Sequence, residues 1–378
     1  MCFKYVFMKS KLSLCLLLAI IFLNVDNVRS QKIWKKVQKI NYTVQKKEVY
    51  QKKNFPSEYE ILSLDITAFS NKLKKSTFNQ KEFIELPNFD GSLSRFKIKE
   101  TSNFEAKLQA NFPNIKSYSA QGIDDPTAVA KISIGTDGFH AVIFSGNQET
   151  VYIDPYSRDY KDLIVYKRSS LSKIDQDFKC KVEASAKKEF SVSDFSKNAN
   201  DGKLRTFRLA LVCSAEYAQF HLGASQQNIP DTATDQVKKE AVLSAMNTSI
   251  TRINGVFEKD LSIKLVLVND NNKVIFLDAA TDGITDGAPS IMINEVQSIC
   301  DSTIGDLNYD IGHIFSIGGD GLAGLGVVCL SGQKARGVTG RSQPVGDPYD
   351  IDFVAHEIGH QFGATHTQNN DCNRANST

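Results

Sequence analysis

Three of the six histidines in the 378-residue chain fall in one short stretch, HEIGHQFGATH, residues 356–366. On a helix His356 and His360 stand four residues apart, so their rings project from one face at a separation that lets two imidazole nitrogens share one metal ion. Glu357 is offset around the helix from the first ligand and can serve as a general base toward a metal-bound water. Gly363 comes three residues after His360 and permits the left-handed backbone that ends a helix and turns the chain back. That return brings His366 to the same ion. Three neutral imidazoles leave a fourth tetrahedral position open, as a catalytic zinc site requires and a structural one does not.

Such a site needs a rigid frame. Asp352 is a natural N-cap ahead of Phe353, Val354 and Ala355, so the expected helix starts there. Upstream, residues 309–317 read as a short strand followed by a glycine-rich loop, residues 261–270 and 204–213 read as further strands, and residues 235–257 and 288–299 as helices. The first of these helices has only an imperfect amphipathic face. Strands alternating with helices indicate an α/β unit with a mixed sheet. Gly319, Gly321 and Gly324 fit a dinucleotide-binding spacing, but residues 327–338 open no helix and no βαβ unit, so that reading fails its context test.

The first half of the chain looks different. Runs of strand type at 60–66, 95–100, 129–134, 140–145 and 149–155 are separated by turn clusters, which indicates a β-rich unit. Residues 167–203 carry no sustained period and read as a connector. The N-terminus has Lys9 and Lys11 before an apolar run from Leu12 to Leu23, with a small-ended stretch at Val28-Arg29-Ser30, the pattern of a secretory signal over residues 1–30. The run is too short for comfortable membrane insertion. A formal net charge of +2 argues against nucleic acid as a partner. Export would place Cys180, Cys213, Cys300, Cys329 and Cys372 in an oxidising environment; Cys300 and Cys329 flank a strand and loop and could pair.

The HExxHxxGxxH spacing resembles the zinc signature of the metzincin endopeptidases, and the flanking sequence resembles their bacterial reprolysin-like members. Residues 85–100 and 118–132 look like the propeptide of that group, and residues 204–221 and 308–329 like the start and middle of its catalytic domain. The resemblance implies a secreted precursor with a signal peptide (1–30), a β-rich inhibitory propeptide (31–200) and a metzincin catalytic domain (203–378) of mixed twisted sheet and helices. It implies one Zn²⁺ held by His356, His360 and His366, Glu357 as catalytic base, protein or peptide substrates, and the chain's own propeptide as inhibitor. By the same analogy the segment around Gly319–Gly324 would line the cleft and pair with an extended substrate. Cys180 would fill the fourth zinc position in the zymogen, or else be a disulfide partner or inert thiol. Two departures stand out: Thr367 occupies the position where animal reprolysins have aspartate, and no methionine follows Met292, so the chain reads as cut off before the methionine turn. Calcium is left open. The rival function is an inactive zinc-containing binding or adhesion module, which would have no need of Glu357.

Overall fold

The computed structural model describes residues 33–38, 55–78, 82–171, 180–183 and 201–366. The expected signal segment, Thr367 and Cys372 lie outside them. Among the described residues no helix is long and apolar enough to cross a membrane.

Alternating side chains in the first half produce nine antiparallel strands: β1 (Trp34–Lys36), β2 (Glu60–Leu64), β3 (Ile84–Pro87), β4 (Leu93–Glu100), β5 (Lys116–Gly122), β6 (Val129–Gly135), β7 (Gly138–Phe144), β8 (Val151–Pro155) and β9 (Asp162–Lys167). Their order is β1-β2-β9-β8-β7-β6-β5-β4-β3. The sheet curls until its two edges almost meet, and Trp34 on β1 donates its indole N–H to the Glu85 carbonyl on β3 at 2.8 Å. One face gathers Leu62, Ile84, Phe96, Ile132, Ile153 and Val165 into a common core. Phe69 and Leu73 of α1 (Ile66–Phe78) join that core.

The second half builds a six-stranded mixed sheet from β10 (Cys180–Glu183), β11 (Arg205–Cys213), β12 (Ile263–Leu267), β13 (Ile311–Ser316), β14 (Asp320–Gly324) and β15 (Gly337–Gly340), in the order β10-β14-β15-β13-β11-β12. Only β14 and β15 are antiparallel to each other. Apolar clusters cover both of its faces, as a largely parallel sheet requires. The glycine-rich stretch expected as a loop is a strand over Asp320–Gly324, because its backbone finds partners on both sides. Cys300 is buried and Cys329 exposed, and both are free, so the suggested pairing does not form.

Helices α3 (Ala215–Leu222), α4 (Asp235–Leu261) and α5 (Pro289–Ile299) pack around this sheet. Thr234 caps α4 by accepting from the Val237 N–H. The poor amphipathicity of α4 has a structural cause: every residue from Ala241 to Gly255 is buried, because the helix packs against strands of both units. Its polar residues find partners across the gap. Asn103 donates to Asn247 at 3.1 Å and to Thr251 at 2.8 Å, and accepts from Asn254 at 3.0 Å.

The helix α2 (Ala106–Asn111) and its flanks enter the second unit's core. Phe104, Leu108, Phe112 and Ile115 belong to the same buried cluster as Leu209, Ile250, Ile253, Leu265 and Leu267. Each such side chain contributes roughly 1.5–3 kcal/mol by leaving water. Buried charges also cross. Arg252 of α4 pairs with Asp154 of β8 and, at 2.8 Å, with Asp350, while Lys131 of β6 pairs with Glu258 of α4.

His140 on β7 sits between Asp154, at 2.8 Å, and Asp137, at 3.3 Å. Burial by itself would depress its pKa, but the two carboxylates override it and push the value up to about 9. The folded chain therefore keeps a proton that the unfolded chain releases above about 6.5. Stability from this group is full below that value and drains as the pH rises through about 9. The denaturation midpoint of the full chain, measured from neutral to alkaline pH, should fall more steeply in the wild type than in His140→Gln. Parallel curves would refute the assignment.

Candidate functional site

The histidine helix does not start at Asp352. Pro348, whose missing N–H costs nothing in a first turn, opens a wide π-type segment, Pro348–Ala355, which runs directly into α6 (His356–Gln361). Asp352 lies inside that segment. Its carboxylate takes the Arg168 guanidinium at 2.7 Å, and the same guanidinium also reaches Asp347. Asp352 is thus spent on a salt bridge to the end of the β-rich unit, not on a cap.

His356 and His360 lie one turn apart with Nε2 atoms 3.0 Å from each other. Gly363 adopts φ +99°, and its N–H donates to the His360 carbonyl at 2.8 Å while Ala364 N–H donates to Gly359 at 3.0 Å. These bonds end the helix and reverse the chain, so His366 Nε2 arrives 3.2 Å from the Nε2 of both His356 and His360. The Ala364 carbonyl lies 2.6 Å from His360 Nδ1. An N–H on Nδ1 directed at that carbonyl leaves the lone pair on Nε2, facing the other two rings.

Cys180 joins them. Strand β10 lies parallel on β14 with Cys180 opposite Gly321, and its Sγ is 3.3 Å from His360 Nε2. One donor atom from each of Cys180, His356, His360 and His366 lies within 4.8 Å of all the others. Ligand atoms about 2.0–2.1 Å from a tetrahedral ion stand about 3.3–3.4 Å apart. The imidazole spacings match that figure closely. Without a cation, three lone pairs so close together would repel, so the donor set and its geometry fit a metal.

Burial, followed by the neighbouring histidines, pushes the His356 pKa down to about 4, and burial likewise lowers His360, so these rings are neutral, the form of imidazole that binds metals. Glu357 is wholly buried. Burial pushes its carboxyl up to about 8, with the Cys180 thiol acting the other way, and neither oxygen has a hydrogen bond of normal geometry within the described residues. Burial and the adjacent Glu357 in turn raise the Cys180 thiol. A carboxylate left this dry beside the histidines is poised to meet a cation or a proton.

Sequence reasoning missed the groups that hold this cluster still. Gln361 is fully buried, donates to the Gly312 carbonyl at 2.7 Å and meets His313 Nδ1 at 2.9 Å. His313 Nε2 then meets Thr339 at 2.8 Å, so the helix is pinned to β13 and β15. A Cβ on Gly337 would stand 2.3 Å from Gln361 and 2.4 Å from His313, which explains the glycine there. A polar residue directly after His360, on the helix face turned to the sheet, was the available signal. His313 and His221 are buried singly and held near pKa 4 by desolvation, as structural histidines are. His140 is structural in a different sense, wedged between two carboxylates. A cleft of about 670 Å³ lies away from the histidine cluster, between the two units, lined among others by His140, His221, Arg252 and Asp350.

Residues 243–367 match the family model described as metallo-peptidase family M12B, reprolysin-like. This segment is a reprolysin-like M12B metallopeptidase domain. No curated protein matches the chain. The match to the reprolysin-like domain begins within α4 and ends one residue past His366, so it takes in β12 to β15, α5 and all three histidines. Strand β11 lies outside the matched residues, yet it pairs with β12 and β13 inside the same sheet.

Proposed function

We propose that the chain is the precursor of a secreted zinc endopeptidase: residues 1–30 direct export, residues 31–200 form an inhibitory prosegment, and the metzincin-type catalytic unit starts at residue 203. The observation that carries this reading is the convergence of three imidazole Nε2 atoms within 3.2 Å of one another beside a buried glutamate.

His356, His360 and His366 would hold the ion, and Cys180 would occupy the fourth position while the prosegment is in place. Zinc bound there supplies Lewis acidity and lowers the pKa of a coordinated water toward neutrality. Glu357 would take a proton from the water that attacks the peptide carbonyl and return it to the departing amine nitrogen as the C–N bond breaks, acting first as base and then as acid. Burial raises its pKa, and a dication close by would favour its ionised form. An extended peptide would replace β10 along the β14 edge, binding through backbone hydrogen bonds.

Activated full-length protein should hydrolyse casein, and Glu357→Ala should lower the rate about 10²–10⁴-fold without loss of bound metal. Full metal occupancy with no hydrolysis in the wild type would leave the binding-module reading instead. Cys180→Ser should release activity in the uncut precursor, because a hydroxyl is a poor substitute for a thiolate on zinc. A mutant precursor as latent as the wild type would remove Cys180 from that role.

A further inference from the structure

We propose that residues 33–171 are a lasting subunit of this protein: cutting the chain between residues 184 and 200 gives a two-piece particle whose pieces stay together. This rests on the proposed reading of residues 31–200 as a prosegment, but not on peptidase activity.

An inhibitory segment that is meant to leave needs only a modest contact at the site. Here β10, which follows the β-rich unit in the chain, touches the histidine cluster, while the unit's own main attachment is to α4 and β12. Phe104, Leu108, Phe112 and Ile115 are not laid on a finished surface; they share one buried cluster with Ile250, Ile253, Leu265 and Leu267. An interface that looks like a domain core cut in half is the mark of an obligate association. The backbone continues across it as well. Glu105 N–H donates to the Leu267 carbonyl at 2.9 Å, and Leu267 N–H donates to the Asn103 carbonyl at 2.7 Å, so the β12 edge of the second sheet is closed by the first unit.

Polar and charged groups add to the penalty for separation. Asn103 and Ser117 are buried against Asn247, and Asp137 on the β6–β7 turn accepts from Ser244 and Thr248 of α4. Arg252 is buried between Asp154 of the first unit and Asp350 of the second. Parting the units would take one carboxylate from that guanidinium and leave the Lys131 ammonium without Glu258. The same attachment bears on Cys180. A strand joined through residues 172–179 to a unit that stays docked keeps a high effective concentration at the histidines, so a cut beyond Glu183 alone leaves the particle latent.

The test uses the full chain with a site-specific protease sequence substituted within residues 184–200. After complete cleavage the two fragments should co-elute in native gel filtration at the size of the uncut chain, persist on dilution to nanomolar concentration, and separate only in denaturant. Two separate native peaks, or precipitation of the second-unit fragment with the first left in solution, would overturn the inference. Co-eluting fragments that remain inactive even with Cys180→Ser would support it while counting against the peptidase reading.

Discussion

Three imidazole nitrogens that would repel one another in the absence of a cation stand 3.0–3.2 Å apart at the end of one helix, and the local architecture serves to keep them there. The left-handed turn at Gly363 supplies the third ring. Gln361 fixes the helix to β13 through Gly312 and His313, and the Gly326 N–H adds a further tie by donating to the His360 carbonyl at 3.0 Å. Desolvation keeps the His356 and His360 rings neutral. The same burial raises the pKa of the Glu357 carboxyl beside them.

The second organising constraint is the position of α4. A helix buried along its middle must satisfy Asn247, Thr251, Arg252 and Asn254 from whatever covers it, and both units contribute. Arg252 links the two: Asp154 lies in the β-rich unit, and Asp350 lies in the wide turn that leads into the histidines. Arg168 makes a parallel link through Asp347 and Asp352. The β-rich unit is therefore mechanically connected to the start of the histidine helix at two points besides Cys180.

The histidine cluster was legible because its geometry is local. Two histidines one helical turn apart and a glycine that reverses the chain fall within a single short stretch, so spacing alone brings the rings together. The β-rich first half and the mixed sheet of the second were legible from alternation. Strand β5, with serines and a glutamine among few apolar residues, was not, because its pairing is supplied by β4 and β6 rather than by its own pattern. The start of the histidine helix was misplaced at Asp352 because an aspartate before an apolar run looks like a cap; Pro348 and the demand of Arg168 for a carboxylate decided otherwise. The placement of Cys180 on β14 depends on a register 141 residues away in sequence, Cys180 against Gly321, which no local pattern encodes. The same is true of the two units' shared core.

The most direct test of the central claim is metal analysis of the purified full chain after equilibration with zinc and removal of excess. The account predicts one zinc per chain, lost in His366→Ala, the ligand contributed by the turn rather than by the helix. No stoichiometric zinc, or full occupancy retained without His366, would contradict it.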